Sequence, residues 1–404
     1  MITKIKVLLA IRQGQIGGGE SHVLNLVHFL DKEQFEPIVL SFTPGPMVDR
    51  LRESGIVTYV IDSKSPVNFQ MWKQVKALLQ KEKIDLVHAH GTRANMNIIW
   101  AAKQCKIPVI YTVHGWSFHS DQSFLVQTAR IIAERKLTRW SHLTITVSDS
   151  NHKTGQQLIK GFQSRVIFNG IDMTRFRRDQ PFNDIRTPYN IPANHTVVVF
   201  IARMTLQKDP ITMIQAFKYV ADRYPDMTLL MIGQGDLDQA VSDAIAQNGL
   251  QKRVVRDDFR LDVADVLNAS DIYCLPSHWE GQPIGLIEAM AMGKAVIATH
   301  VDGSKELVQD GVNGLLIDPQ QPKQLASAIE RLHTDRKLHK RLAEQAYHLS
   351  RERYDAAFMA DYIEDAYRTT LSETKPGYSR PSLSQTSPLK KKDISRLETQ
   401  ERAF

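Results

Sequence analysis

The sequence contains few cysteines and no long apolar segment. Among its 404 residues there are two cysteines, Cys105 and Cys274, which cannot form a disulfide framework. Each has apolar neighbours, as a small core side chain would, and we expect a reducing, cytoplasmic setting. No apolar run approaches the roughly 20 residues that span a bilayer. The apolar residues at 5–11 predict a first β-strand rather than a signal peptide.

The excess of positive charge is small outside one terminal segment. The formal net charge is +7, but seven basic and three acidic residues lie from Lys375 onward, a net charge of +4. A remainder of about +3 gives little support to nucleic-acid binding, so we expect no nucleic-acid partner. Residues 374–404 have few large apolar side chains and are predicted to be a disordered basic tail. The alternative for Lys390–Lys392 is contact with anionic lipid head groups, and a solvated tail is favoured.

The sequence also lacks the usual metal and nucleotide motifs. His88 and His90 share one face of a strand-like run with no cysteine or carboxylate cluster nearby, which favours structural histidines over a metal site. Gly17–Gly19, at the start of a helical pattern, match neither the dinucleotide spacing nor a P-loop. Their N–H groups favour a phosphate, although a tight turn explains the three glycines as well.

Strand-like runs alternate with helix-length amphipathic segments along the chain, which predicts an α/β fold with two Rossmann-like, doubly wound domains facing a cleft. Strands are predicted at 5–11, 37–42, 56–61, 84–90, 108–113, 143–147, 165–168, 196–201, 227–232, 271–275, 294–298 and 313–317. Helices are predicted near 321–332, 336–347 and 353–371. The predicted divisions are residues 1–178 (first domain), 179–194 (a proline-rich linker), 195–352 (second domain), 353–373 (last helix) and 374–404 (tail).

One stretch, residues 277–294, concentrates unusual residues and is predicted to run as strand end, loop, helix and next strand. Pro283 suits the first helical position and Gly293 a left-handed helix end, which places the helix at 284–292. Glu280 then lies in the loop and Glu288 inside the helix, so the two carboxylates can bracket one ligand. The free N–H groups of Ile284, Gly285 and Leu286 are predicted to favour an anion there.

Other candidate groups follow predicted strands. Arg203 and Lys208 come after the strand at 196–201, where two cations can clamp a diphosphate and stabilise it as a leaving group. His114 ends another strand, and on this pattern alone a structural role is the commoner one. The basic stretch Arg130–Arg139 lies on a helical pattern, for which a solvated face is favoured over contact with acidic lipid or an acceptor.

Several of these motifs together resemble the retaining glycosyltransferases of family 4, which have the GT-B fold. The resemblance rests on Glu280–Pro283 through Glu288–Lys294, Val296–Thr299, Gly303, Glu306–Val308, Val166–Asp172 with Phe176, Arg203 with Lys208, Ile232–Asp236, and Gly17–Gly19. It covers residues 5 to 370 approximately. The pair of glutamates in this setting is specific, whereas three glycines alone are not.

The resemblance implies a sugar nucleotide held mostly by the second domain, an acceptor held mostly by the first, and a last helix that crosses back to the first. In that family scheme Glu280 contacts the donor sugar, Glu288 the ribose, and Arg203 with Lys208 the diphosphate. His114 matches a histidine beside the donor sugar. The remaining donor contacts that the resemblance implies are Gly18, Gly19, Gly233, Gly281, Ile284 and Gly285. No metal or other cofactor is implied.

The partners implied are a UDP- or GDP-sugar donor and a glycan or lipid-linked acceptor. From the basic segments, and not from the resemblance, the alternative to a purely cytoplasmic location is peripheral contact with an anionic membrane on its cytoplasmic face. The sequence departs from the family pattern at two places. Residues Arg256–Arg260 lack the usual glycine-containing turn that meets the nucleotide base, and Asp302–Gly303 stand where a glycine pair is common. The first leaves uridine or guanosine open. Two alternatives stay open: a sugar-nucleotide 2-epimerase of the same fold, and a non-catalytic protein that binds glycan or lipid.

Overall fold

The protein is described by a computed structural model that covers residues 4–62, 69–119 and 122–375. The first domain runs β1 (Ile5–Ile11), α1 (Gly18–Phe29), β2 (Phe35–Ser41), α2 (Pro46–Glu53), β3 (Thr58–Val60), α3 (Phe69–Lys81), β4 (Leu86–His90), α4 (Thr92–Gln104), β5 (Val109–Val113), α5 (Phe124–Trp140), β6 (Leu143–Thr146), α6 (Asp149–Leu158) and β7 (Arg165–Val166).

The second domain follows the same alternation. It runs β8 (Thr196–Ile201), a short 3-10 helix (Leu206–Lys208), α7 (Pro210–Ala221), β9 (Met227–Ile232), α8 (Asp238–Gln247), β10 (Val254–Asp257), α9 (Val263–Asn268), β11 (Ile272–Leu275), α10 (Ile284–Ala291), β12 (Ala295–Thr299), α11 (Asp302–Leu307), β13 (Leu315–Ile317), α12 (Pro322–Thr334) and α13 (Arg336–Arg353). The last element is α14 (Ala356–Thr374).

Each half forms one parallel sheet. The strand orders are β3-β2-β1-β4-β5-β6-β7 and β10-β9-β8-β11-β12-β13, and every described strand pair is parallel. In both sheets the order reverses beside the first strand, where β4 pairs with β1 and β11 with β8. Ligands of open α/β sheets bind at such switch points, outside the carboxyl ends of the strands.

Strand β1 illustrates why these runs are almost continuously apolar. Leu8 and Ala10 are buried in the core on one face of the sheet, whereas Val7, Leu9 and Ile11 are buried in the core on the other face. A strand covered on both faces needs apolar residues at every position, and crossover helices supply the cover. The predicted α/β architecture with two doubly wound domains is confirmed.

The final helix returns to the first domain, as the resemblance implied. Met359, Ile363 and Tyr367 of α14 are buried in the same core as the β1 residues Val7 and Leu9. The Tyr367 hydroxyl lies 2.7 Å from Nδ1 of His88 on β4. The described part of the chain therefore starts and ends on the same domain.

Several predicted boundaries differ from the structure. Strand β10 was not predicted, because it is a four-residue edge strand that contains the charged Arg256 and Asp257. Helix α13 continues to Arg353, so the last helix starts at Ala356. Residues 179–194 contain neither helix nor strand, yet Ile185 and Ile191 are buried against the second domain.

Residues 376–404, which include almost all of the predicted basic tail and Lys390–Lys392, lie outside the described residues. Within 4–62, 69–119 and 122–375, no helix combines the length and apolar character required to cross a membrane.

Candidate functional site

Helix α10 follows strand β11 at the edge where the two domains face each other. Gly293 has φ 65°, the left-handed conformation predicted for the residue after the helix. Pro283 is extended at φ −73° and ψ 111°, so it precedes the helix instead of opening it. The Leu286 N–H donates to the Pro283 carbonyl at 3.2 Å, and the prediction that it is free was therefore wrong. The first-turn N–H groups of Ile284 and Gly285 precede the hydrogen bonds of the helix itself.

Glu280 forms an ion pair with Lys208. The Nζ–Oε1 distance is 2.5 Å, and the two side chains are 16% (Lys208) and 4% (Glu280) exposed. Beside this pair, Nε2 of His278 lies 2.8 Å from Oδ2 of Asp209, and Asp209 also caps α7 by accepting from the Thr212 N–H. A fixed cation and a fixed carboxylate thus meet at the carboxyl edge of the second sheet.

Arg203 follows β8 at the same edge and is exposed. Among the described residues no salt bridge joins it to a carboxylate. Gly233, which follows the neighbouring strand β9, has φ 129°, and a Cβ there would lie 2.2 Å from the Ala202 carbonyl oxygen. Only glycine allows the two strand ends to approach this closely, so Gly233 sets the position from which Arg203 leaves the sheet.

Glu288 lies one helical turn inside α10, as predicted, and is partly accessible. Burial raises the pKa of its carboxyl to about 7, which Arg175 partly opposes. The hydroxyl of Tyr273 lies close to the position that a Cβ of Gly285 would take, at 2.8 Å. Burial therefore disfavours the ionised form of the Glu288 carboxyl.

Replacing Glu288 with glutamine is expected to stabilise the protein at high pH. A raised folded-state pKa means that the contribution of Glu288 to stability is fully present below pH 4.5 and is lost as pH rises through about 7. The ionised carboxylate therefore destabilises the fold by at most about 3 kcal/mol. We expect Glu288→Gln to raise the Tm near pH 8 by several degrees and to change it little near pH 5. The exposed Glu373→Gln is the control, and an equal shift at both pH values would contradict the assignment.

The glycine turn of the first domain faces His114. Gly17 is the N-cap of α1, and Gly18 and Gly19 are its first residues. A Cβ on Gly19 would lie 3.6 Å from the His114 ring, whereas one on Gly18 would meet no atom within 4 Å. Open space therefore lies beside Gly18, and Gly19 packs next to the histidine that follows β5.

Three histidines cluster here. Ring nitrogens of His22, His90 and His114 lie within 4.8 Å of one another and could hold a metal ion. Nδ1 of His90 is 3.2 Å from Nε2 of His114, and Nδ1 of His22 is 2.9 Å from Oδ1 of Asn169. Burial lowers the pKa of all three, that of His22 to about 4. At neutral pH these rings are uncharged, as metal ligands are.

The sequence did not group these histidines. His88 and His90 are buried neighbours on one face of β4, with ring centroids 4.1 Å apart. His22, however, lies on α1 and joins the cluster only because β1 and β4 are adjacent in the sheet. Nε2 of His22 and Nε2 of His90 are buried without a hydrogen-bond partner.

Glu20 was also not predicted. It follows the glycine turn on α1 and is 7% exposed. Burial raises the pKa of its carboxyl to about 7, and the positive charges of Arg203 and Arg12 oppose that rise. Its position directly after three glycines was the available signal in the sequence.

Several contacts join the two domains around this cleft. The Gly281 backbone packs so tightly on His114 that a Cβ would lie 1.8 Å from its carbonyl oxygen. The Trp279 and His119 rings stack with centroids 4.6 Å apart.

Hydrogen bonds also join the two domains. The Asn169 amide donates to the Gln282 carbonyl at 2.9 Å. Glu306 accepts from the N–H groups of Asp149 and Ser150, at 3.0 and 2.5 Å, which caps the N-terminus of α6. These contacts bring Glu280, Lys208, His114 and the glycine turn to one cleft.

Known proteins are similar to this chain in sequence and in fold. The family profile described as "Glycosyltransferase Family 4" matches residues 16–175, and that described as "Glycosyl transferases group 1" matches residues 181–349. The chain is 27% identical, over 83% of its length and 90% of the relative's, to the UDP-Gal:alpha-D-GlcNAc-diphosphoundecaprenol alpha-1,3-galactosyltransferase of Escherichia coli. It is 25% identical to the N-acetyl-alpha-D-glucosaminyl L-malate synthase of Bacillus anthracis, over 80% of this chain and 85% of that protein.

The solved structures agree in fold. Anabaena HepE in complex with UDP and glucose superposes with a TM-score of 0.80 at 23% identity, over 90% of this chain and all of that one. Sucrose-phosphate synthase of Thermosynechococcus elongatus gives a TM-score of 0.76 at 20% identity, over 92% of this chain and all of that one. With both domains matched in sequence and fold, this chain belongs to the group 1 glycosyltransferases of family 4 and is an enzyme with the GT-B fold.

Proposed function

We propose that the enzyme is a retaining glycosyltransferase that moves a sugar from a UDP-sugar to a glycan or lipid-linked acceptor in cell-surface polysaccharide assembly. The observation that carries the proposal is the Glu280–Lys208 ion pair, at 2.5 Å, in the cleft that also receives Arg203 and the glycine turn. Cations at the carboxyl edge of a parallel sheet suit a diphosphate. A buried carboxylate beside them suits the hydroxyl groups of a sugar.

In the proposed reaction the bond between the anomeric carbon and the β-phosphate oxygen breaks, and a bond from that carbon to an acceptor hydroxyl oxygen forms. The acceptor proton goes to a phosphate oxygen of the leaving diphosphate. Negative charge grows on the diphosphate as the bond breaks, and Arg203, Lys208 and the first turn of α10 stabilise it. Retention of the anomeric configuration is carried over from the family.

The proposed donor contacts extend the cleft on both sides. Glu280 accepts from hydroxyls of the sugar and Glu288 from those of the ribose. His114 lies beside the sugar, and a neutral imidazole there can share hydrogen bonds without repelling the positive charge that develops on the anomeric carbon. The other donor contacts we propose are the backbone of Gly18, Gly19, Gly233, Gly281, Ile284 and Gly285.

Uridine is the base that the relatives favour, since the Escherichia coli relative is named for UDP-Gal and HepE was solved with UDP. We expect UDP to raise the Tm more than GDP does. A ligand at 100 times its dissociation constant adds about 2.7 kcal/mol of stability. A thermal-shift series with UDP, GDP, ADP and their glucose conjugates measures this, and a larger shift with GDP would reverse the assignment of the base.

Transfer itself is tested by NMR of a UDP-sugar with and without a polyprenyl-diphosphate-linked N-acetylhexosamine. We expect UDP release and an α-linked product only when the acceptor is present. Interconversion of two sugars on an intact nucleotide, without acceptor, would show a 2-epimerase instead. Binding without either reaction would show a non-catalytic protein.

We also propose that transfer needs no metal ion, because Arg203, Lys208 and the helix N-terminus supply the positive charge. EDTA is then expected to leave the rate unchanged. If EDTA abolishes the rate and Zn²⁺ restores it, the cluster of His22, His90 and His114 is the site to examine, and His22→Ala should then abolish the restoration by Zn²⁺.

A further inference from the structure

Helix α5 exposes large apolar side chains at its first turn. Phe124 and Leu125 are 78% and 79% exposed, more than any other large apolar residue that the structure describes. Val126, Ile132 and Trp140, on the same helix, are also exposed. Apolar area gathered on one helix of a folded domain is typical of a binding surface rather than of scattered surface residues.

The acidic residue of α5 is buried, whereas basic residues of the same helix are exposed to solvent. Glu134 is fully buried and accepts from the hydroxyls of Thr92 and Ser117, at 2.7 and 2.6 Å. Lys136 and Arg139 are exposed. The outer face of α5 therefore carries positive charge without a carboxylate.

Helical spacing unites the apolar and basic residues. Leu125, Ile132, Lys136 and Arg139 follow one another at i, i+7, i+11 and i+14, which places them along one face. We define the outer face of α5 as these four residues together with Phe124. An amphipathic helix with aromatic and aliphatic residues at one end and basic residues along its face suits the boundary between lipid head groups and acyl chains.

The first turn of α5 closely follows two cleft residues, His114 and His119, in the chain. Strand β5 ends at Val113 on the carboxyl edge of the first sheet, His114 follows, and α5 begins at Phe124. Between them, His119 stacks on Trp279 of the other domain. A surface in contact with Phe124 would thus present its molecules beside the cleft.

We propose that the outer face of α5 docks on an anionic lipid bilayer, with Phe124 and Leu125 inserted among the lipids and with Lys136 and Arg139 against acidic head groups. The inference deepens the proposed function, on which it rests, because a lipid-linked acceptor would be delivered at this rim. A second copy of the chain is a poorer occupant, since it would bring the same cations face to face.

Vesicle co-sedimentation of the full chain tests the surface. On vesicles of phosphatidylcholine with phosphatidylglycerol, the double variant Phe124→Ser/Leu125→Ser is expected to lower partitioning at least about tenfold. Lys136→Gln/Arg139→Gln should lower it by roughly fivefold per charge, and should have little effect on vesicles of phosphatidylcholine alone.

Matched controls lie on the second domain. Tyr219→Ser/Val312→Ser removes two exposed apolar side chains elsewhere, and Lys337→Gln/Lys340→Gln removes two exposed charges of α13. Both should partition like the wild type. The proposal would be overturned if the α5 variants partitioned onto vesicles as the wild type does. It would also be overturned if replacing Lys390–Lys392 with glutamine abolished vesicle binding completely.

Two further readouts separate the possible failures. Light scattering measures self-association: a wild-type dimer that Phe124→Ser/Leu125→Ser dissociates, with vesicle binding unchanged, would assign the face to a second copy and overturn the proposal. The Tm shift by UDP tests the proposed function apart from the membrane. We expect the same Tm shift by UDP in the wild type and in the α5 variants. A wild type whose Tm does not respond to UDP would overturn the proposed function, whatever the result of the vesicle experiment.

Discussion

Replacement of Glu280 by glutamine is expected to lower turnover by about 100- to 1000-fold, the loss typical of removing one group that stabilises a transition state. Glutamine keeps the size of the side chain but loses the charge that pairs with Lys208 at 2.5 Å. Since Glu280 is 4% exposed, water cannot replace the lost partner. The Lys208 ammonium is then free to rotate away from the position in which we propose that it faces the diphosphate.

The measurement is single-turnover release of UDP from the UDP-sugar with a confirmed acceptor, together with the Tm of the variant. The matched control is Glu344→Gln, which breaks the ion pair of Glu344 with Arg178, at 2.7 Å, on the exposed surface. The control should keep the wild-type rate, because exposed pairs contribute little. Wild-type turnover in Glu280→Gln would refute a catalytic role for this carboxylate.

A double-mutant cycle tests whether Glu280 and Lys208 act together. Residues joined in one ion pair are expected to be non-additive. Lys208→Gln in the Glu280→Gln background should therefore lower the rate much less than it does in the wild type.

Replacement of Arg203 by alanine is expected to have the larger effect, a loss of roughly a thousandfold or more in kcat, comparable with the removal of an arginine that stabilises phosphate charge. No salt bridge to a described carboxylate holds Arg203 in the free enzyme, and the side chain is exposed. Its guanidinium is thus available to the anion. Because the charge on the diphosphate grows as the bond breaks, we expect kcat to fall more than the affinity for UDP.

The control for this variant is Arg223→Ala, which removes an exposed arginine paired with Glu330 at 2.8 Å. Arg203→Lys should recover part of the rate, since lysine keeps the charge but not the planar fork. A variant Arg203→Ala that binds UDP more weakly with kcat unchanged would assign Arg203 to ground-state binding alone.

Much of the fold could be predicted from local pattern. The β1 and β8 runs were predicted with the bounds that the structure has, because strands covered on both faces are apolar at every position. Strand β10 escaped prediction because an edge strand can keep charged residues such as Arg256. The end of α13 was placed too early because exposed polar residues at its end look the same in a helix and in a loop.

The outer face of α5 was harder to predict for a related reason. The basic residues of Arg130–Arg139 were visible in the sequence, and a solvated face was the favoured interpretation. Whether Phe124 and Leu125 face a core or the solvent depends on which neighbours cover the helix. Periodicity shows that a face exists and does not show what lies against it.

The sequence by itself determined the two doubly wound domains, the family, and the chain positions of Glu280, Glu288, Arg203, Lys208 and His114, because strand–loop–helix signals are local in the chain. Only the tertiary structure decided which of these residues come into contact. It leaves the first turn of α5 exposed to solvent. It also pairs Glu280 with Lys208, brings His22 together with His90 and His114, and places Glu306 at the N-terminus of α6. These contacts connect residues between 24 and 157 positions apart, and such contacts follow from strand order and domain closure, which leave no periodic signal in the sequence.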